Sequence, residues 1–240
     1  MRVTLIALLF LLSGAKAQSA PIAGAAIQGW FYDSDSHAMN VHIVNTGDKA
    51  ITAYELKVVT VDSGGNSSTG GHGRDFLNSV AFLERFKGTP DEETMRKQVG
   101  PESIPAGGSY DEKIGLPPGF RDFSVTLEAV AFADRTITGN QKAIDLLIQI
   151  RKANAASIAK AAELINKSAT AEQAETAIKN WNDTYQATPH PKLEVQPGDL
   201  EGIVEDLKRL PNKAAINEYL AAKEREQRMW EANSNLEVTQ

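Results

Sequence analysis

The chain has 240 residues, a formal net charge of −6 and no cysteine. The absence of cysteine excludes disulfide scaffolds, zinc–thiolate sites, iron–sulfur sites and thiol catalysis. The acidic balance argues against nucleic acid as the ligand, and the apolar fraction of 42% with 23% charged residues is typical of a globular protein.

The first 17 residues have the features of a secretory signal peptide. Arg2 supplies a positive charge, an apolar run covers residues 3–12, and Ala15 and Ala17 frame a small-x-small cleavage pattern. The run is too short for a bilayer core, which needs about 20 apolar residues. We therefore predict a secreted or periplasmic protein that is cleaved near Ala17 and has no transmembrane segment.

Residues 18–138 are predicted to form an Ig-like antiparallel β-sandwich domain. Apolar and polar residues alternate over residues 37–44 and 50–61, which places one face of each strand on a core and the other in water. Further strands are predicted at residues 27–32, 109–114 and 123–132. Short alternating strands without helical crossovers are typical of a β-sandwich.

The segments between these strands are more varied. Residues 62–73 are rich in glycine and serine and are predicted to be a flexible loop. Residues 76–86 are apolar and fit either a helix or a strand. Residues 89–99 are highly charged and are predicted to form a short helix that Asp91 caps.

Residues 139–240 are predicted to be an α-helical region. Residues spaced three or four positions apart form one face of a helix over residues 140–167. These residues are apolar except for Arg151. Thr170 and Gln173 form a capping-box pattern that starts a second helix. A proline-rich linker at residues 188–198 precedes two further helices and a polar tail, which we expect to fray. These last segments span residues 199–210, 211–230 and 231–240.

Three segments of the first half together resemble a group of secreted bacterial proteins of Acidobacteria type. In that group, an Ig-like sandwich closes with a Phe-x-Asp-Gly-Thr-x-x-Gly-like segment and a helix follows. Arg135 stands in place of the glycine after the aspartate in this chain. The resemblance implies the fold and the compartment, and it implies no activity. The segments that carry it are residues 45–56, 104–109 and 130–139.

No metal or cofactor site is predicted from the histidines and acidic residues. The four histidines do not have a convergent spacing, and Asp33 with Asp35 lacks the remaining ligands of an EF-hand loop. The histidines are His37, His42, His72 and His190.

No catalytic residue is assigned either. Residues 71–75 read Gly-His-Gly-Arg-Asp, which matches a kinase catalytic loop only superficially. The sequence contains neither a Gly-Lys-Ser/Thr phosphate loop nor a Gly-x-Ser-x-Gly nucleophile elbow.

Aromatic residues mark two further candidate surfaces. Trp181 and Tyr185 lie four residues apart on one face of the second helix, and residues 30–32 form a dense aromatic strand. Such residues are enriched at interfaces, but a place in the hydrophobic core is the interpretation we favour.

These observations predict a non-catalytic interaction or structural module of the cell envelope, whose partner is another envelope or secreted protein. The loop at residues 62–73 is the predicted binding element. The alternative is an extracytoplasmic hydrolase with a site at the sandwich loops, near Asp33 and Asp35. A third hypothesis is oligomerisation through the helix at residues 140–167, and the sequence leaves the oligomeric state open.

Overall fold

The structure is a computed structural model that describes residues 22–84, 86–190 and 193–239. The predicted signal peptide at residues 1–17 lies outside the described residues. Two residues of the predicted proline-rich linker, 191 and 192, also lie outside them.

The described chain is a mixed α+β protein with eight strands and six helices. The first half contains strands and two short helices: β1 (Ala25–Asp33), β2 (Ala38–Asn45), β3 (Ile51–Asp62), β4 (Ser67–Asp75), α1 (Leu77–Glu84), α2 (Glu92–Val99), β5 (Ser109–Gly115), β6 (Phe120–Phe132) and β7 (Thr136–Gly139). Four helices and a short strand follow: α3 (Gln141–Asn166), α4 (Ala171–Gln186), α5 (Pro197–Leu207), α6 (Lys213–Ser234) and β8 (Glu237–Val238).

The strands form two sheets that share one hydrophobic core. A three-stranded sheet has the order β1-β2-β5, and a five-stranded sheet has the order β4-β3-β6-β7-β8. All neighbours are antiparallel except β7 and β8, which are parallel. Val41 and Ile43 of the smaller sheet belong to the same buried cluster as Leu56 and Val125 of the larger one. The alternation seen in the sequence therefore places the apolar face of each sheet against the other.

The long helix α3 packs on the outer face of the five-stranded sheet. Ile144 and Leu147 of α3 form a buried cluster with Ala53, Ala129 and Ile137 of the sheet. The alanines at the contact have short side chains, which lets the helix backbone approach the strands closely.

The helices are not all C-terminal: two precede that region, and the second of them lies within residues 89–99, where a short helix was predicted. Helices α1 and α2 lie between β4 and β5. Leu77 and Ala81 of α1 are buried against Ala155 and Ile158 of α3 and Trp230 of α6. This packing explains why an apolar segment that fits helix or strand by composition becomes a helix. Helix α2 starts at Glu92, and the Asp91 side chain makes no cap hydrogen bond.

The predicted flexible loop at residues 62–73 is instead a β-hairpin. Only residues 63–66 connect the strands, and residues 67–75 form β4, paired with β3 from Val61↔Ser67 to Ala53↔Asp75. Strand pairing uses backbone groups, so a segment rich in glycine can pair with a strong strand beside it despite its own low strand propensity.

The starts of the helices largely follow the cap residues in the sequence. The Asn140 side chain accepts a hydrogen bond from the Lys142 amide, and Thr170 accepts one from the Gln173 amide. The last long helix starts with Asn212 as its N-cap rather than with Pro211. None of the described helices is long and apolar enough to cross a membrane.

The C-terminal segment is ordered where fraying was expected. Helix α6 extends to Ser234, and residues 237–238 form β8 beside β7. The Glu237 amide donates to the Arg135 carbonyl at 2.8 Å, and the Thr239 amide donates to the Ile137 carbonyl at 2.8 Å. A short polar segment gives no strand signal of its own in the sequence. Its order comes from pairing with β7.

Candidate functional site

The candidate site lies on β4, the glycine-rich strand at one end of the five-stranded sheet. This strand pairs with β3 on one side, and no strand of the described residues pairs with its other side. Residues 67–71 are exposed, and residues 70, 71 and 73 are glycine. An exposed strand edge of this kind is a template for pairing with another extended chain.

The hydrogen bonds at the two ends of the hairpin fix which backbone groups face outward. The Asp62 amide donates to the Asn66 carbonyl, and the Phe76 amide donates to the Thr52 carbonyl. In an antiparallel pair, residues whose backbone groups bond to the partner strand alternate with residues whose groups point away from it. Both of these hydrogen bonds join even-numbered residues, so the even-numbered residues of β4 bond to β3. The amide and carbonyl groups of Ser67, Thr69, Gly71 and Gly73 therefore point away from the sheet.

A polar network lies on the inner face of this edge, between the two sheets. His72 Nε2 of β4 is 3.1 Å from Glu112 Oε1 of β5, and the Tyr54 hydroxyl of β3 donates to Glu112 Oε2. The Glu112 side chain is nearly buried, with 10% of its surface exposed. The network therefore ties the edges of both sheets together through one carboxylate.

The electrostatics of this network keep Glu112 charged. Burial raises the pKa of Glu112, but hydrogen bonds from His72 and Tyr54 more than offset it, so that the pKa lies below its ordinary value. The hydrogen bond to Glu112 raises the pKa of His72. Burial, together with Glu112, raises the pKa of Tyr54, so the phenol keeps its proton and acts as a donor.

Aromatic rings and a pocket complete the inner face. The Arg74 guanidinium lies 5.2 Å from the ring centre of Phe76 and 4.9 Å from that of Tyr110, a cation–π arrangement. Towards the hairpin end, a pocket of about 270 Å³ opens beside His72, because Gly70 places no side chain there. Its walls combine the polar side chains of Thr60, Ser68 and His72 with the apolar ones of Val58, Ile114 and Pro117.

The outer face of the same edge carries Glu55. Burial, followed by the charge of Asp75, raises the pKa of Glu55 to about 7. The carboxylate lies directly over Gly73, where a Cβ atom would overlap it. Glu55 also lines an open pocket of about 460 Å³, with Lys57, Lys142 and Leu146 on its walls. A half-buried carboxyl group with such a pKa beside a pocket is a feature of functional sites.

The C-terminal end of β4 is anchored to the helices by a buried ion pair. Arg151 of α3, with no exposed surface, donates from Nε to Asp75 Oδ2 at 2.7 Å and from Nη2 to Oδ1 at 3.2 Å. Its Nη1 group also donates to the Asn233 carbonyl of α6 at 2.9 Å. The edge strand is therefore held at one end while residues 67–73 remain accessible.

The structure places the four histidines apart. His42 Nδ1 is 2.7 Å from Asp111 Oδ1 on an exposed face, His37 Nδ1 is 3.1 Å from the Tyr32 hydroxyl, and His190 stacks on Tyr185. Only His72 lies in the candidate site. Among the described residues, no group of three or more His, Asp or Glu side chains could hold a metal ion.

The remaining sequence candidates have local roles. Asp33 accepts hydrogen bonds from the Ser36 hydroxyl and the Asp35 amide within the β1–β2 turn. Trp181 and Tyr185 stack with ring centres 5.2 Å apart and are partly exposed. On β1, Trp30 packs edge-to-face on Phe123, whereas Phe31 is 61% exposed.

Sequence reasoning did not identify Tyr54, Glu55, Glu112 or Arg151 as site residues. One of them had a visible signal: Arg151 occupies the apolar stripe of the predicted helix, where a charged side chain needs a buried partner. Glu112 likewise lies two residues before Ile114, on the same inner face of β5. The partners of both residues are distant in sequence, so their pairing could not be read from spacing.

Comparison with known proteins gives little further guidance. No protein-family model matches the chain. No curated protein matches it significantly. A crystal structure of a hypothetical protein from Peptoclostridium difficile 630 aligns with 52% of this chain and 88% of its own length, at 14% identity and a TM-score of 0.30. A similarity of this size carries no argument about fold or function.

Proposed function

We propose that the protein is a secreted or periplasmic, non-catalytic interaction module that binds an extended segment of another envelope or secreted protein by strand addition to β4. The observation that carries the proposal is the exposed edge of this strand, with outward-facing backbone groups at Ser67, Thr69, Gly71 and Gly73. Main-chain hydrogen bonds would supply the affinity, as in other complexes formed by strand addition.

The two pockets beside β4 support a partner of defined chemistry. Side chains of an added strand alternate between the two faces of the sheet. One set would face the small inner pocket, with the polar side chains of His72 and Ser68. The other set would face the larger, more apolar outer pocket, where Leu146 lies beside Lys57 and Lys142. The partner segment would therefore alternate small polar residues with larger apolar or acidic ones.

The fold and compartment belong to the same proposal. The two sheets and their shared core fit an Ig-like sandwich, in which binding elements sit on a rigid scaffold. The pattern at residues 1–17 supports export.

Proline at residue 69 tests the proposal, because it removes an amide that faces away from β3. A proline on that side of an edge strand leaves the ladder to β3 intact. We expect Thr69→Pro to weaken capture of the partner from an envelope extract by at least about tenfold, whereas Thr69→Ala retains it. In the purified complex, hydrogen exchange should slow at the amides of Thr69 and Gly71. Equal capture by both variants, or no slowing at these amides, would overturn strand addition at β4.

A second candidate function is hydrolysis of an envelope polymer, and Glu55 specifically favours it. A carboxyl group with a pKa of about 7 can act as a general acid near neutral pH. If the protein releases soluble fragments from purified peptidoglycan, Glu55→Gln should abolish the release and Asp33→Asn should not. Unchanged release by Glu55→Gln would exclude this residue as the acid.

A further inference from the structure

A cavity of about 570 Å³ lies between helices α4 and α5 and shares no lining residue with the pockets beside β4. Its apolar wall includes Ile178 and Leu200, which have no exposed surface, and Val204, which is 3% exposed. A cavity of this volume is within the range of small-molecule sites.

Two glycines of α5 create the space in this cavity. Gly198 and Gly202 lie four residues apart on one face of the helix, and a Cβ atom added at either would meet nothing within 4 Å. Glycine inside a helix is less favourable than alanine. At Gly202, inside α5, the sequence therefore keeps a glycine that weakens the helix although a larger side chain would fit there.

Asn182 of α4 lines the same cavity with an unsatisfied acceptor. The residue is 5% exposed, and its Oδ1 atom has no hydrogen-bond partner among the described residues. A buried polar atom without a partner is unfavourable, and a bound group with an N–H donor would satisfy it.

The charges at the rim favour a cation. Lys179 pairs with Glu175 at 2.6 Å, and Glu205 pairs with Lys208 at 2.5 Å, so these charges offset one another. Asp183 and Glu201 also line the cavity, and no ion pair within the described part of the chain engages their carboxylates. These two residues therefore give the rim an uncompensated negative charge.

We propose that this cavity binds a small alkyl ammonium ion. Its ammonium group would donate to Asn182 Oδ1 and face the carboxylates of Asp183 and Glu201, and its alkyl chain would pack against Val204. The combination of an apolar wall, a buried acceptor and a negative rim is complementary to this class of ligand.

Calorimetric titration of the full chain with n-butylammonium chloride tests the proposal. We expect saturable binding with a stoichiometry near one. Butyrate has the same chain length with the opposite charge, and n-butanol has no charge, so both should bind at least about tenfold more weakly. No saturable heat with n-butylammonium, or equal binding of n-butanol or butyrate, would overturn it.

Two variants locate the site without threatening the fold. Gly202→Leu fills the cavity and removes a helix-weakening glycine, and Asn182→Leu replaces the unsatisfied amide by an apolar group of similar size. Both should melt at the wild-type temperature or higher and bind n-butylammonium at least about tenfold more weakly. Asn180→Leu, the same change on the exposed face of α4, is the control and should bind like wild type. Wild-type affinity in both folded cavity variants would place the binding elsewhere and overturn the proposal.

Discussion

Glu55 shows how one side chain can make stability depend on pH. Its pKa is about 7 in the folded chain, against an ordinary value of 4.5, because burial penalises the charged form. Between these two values the folded state binds more protons than the unfolded state. Stability from this residue is therefore present at low pH and is lost as the pH rises towards 7 and above.

We expect Glu55→Gln to remove this loss. At pH 8 the variant should be more stable than wild type by about 1 kcal/mol, a value reduced for partial solvent screening. At low pH the two proteins should be equally stable, because Glu55 is then protonated in both states of the wild type. Urea unfolding over the range from pH 4 to 8 measures the difference. A difference in unfolding free energy between the two proteins that stays constant with pH would contradict the assignment.

At the scale of elements, the anchor between β4 and α3 is the clearest case. Removing one partner of a buried ion pair leaves the other charge buried and unpaired, which costs about 3–5 kcal/mol. We expect Arg151→Met to destabilise the chain by this amount, because Asp75 would lose its partner.

An exposed ion pair provides the control for this change. Arg225 of α6 is 3.7 Å from Glu84 of α1, with 47% of its side chain exposed. Arg225→Met should cost no more than about 1 kcal/mol. Chemical denaturation of both variants compares the two pairs, and similar losses would mean that burial does not determine the strength of the anchor.

Elements whose order comes from local signals could be predicted from the sequence. The apolar spacing located α3, the capping pattern at Thr170 located the start of α4, and alternation located β2, β3 and β6. Elements that depend on a distant partner could not be predicted. Residues 67–75 and 237–238 have little strand propensity of their own, and β3 and β7 supply the pairing. The candidate site belongs to this second group, because its residues come from β3, β4 and β5.

At the scale of the whole molecule, β8 connects the end of the helical region to the larger sheet. Leu236 packs against the cluster formed by α3 and that sheet. The Glu237 amide donates to the carbonyl of Arg135, just before β7, and the Thr239 amide donates to that of Ile137 in β7. The predicted boundary between residues 138 and 139 therefore does not correspond to an absence of contacts between the two halves.

Two proline variants test this connection. Glu237→Pro removes the amide that bonds to the Arg135 carbonyl, just before β7. Val238→Pro removes the neighbouring amide, which neither of the two hydrogen bonds to this segment uses. We expect Glu237→Pro to lower the unfolding free energy by about 1 kcal/mol and to speed hydrogen exchange at the end of α6. Val238→Pro should remain close to wild type, and equal effects of the two variants would contradict the pairing.

The parallel pairing of β7 with β8 also sets an order of events during synthesis. The Thr239 hydroxyl and the Ile137 carbonyl are joined across 102 residues of sequence. At ribosomal speeds of roughly 5–20 residues per second, the nascent chain carries an uncovered β7 edge for roughly 5–20 s. An open edge next to Ile137 can pair with another nascent chain during that time. Residues 136–139 are therefore open to non-native strand pairing until the C-terminal segment has been synthesised.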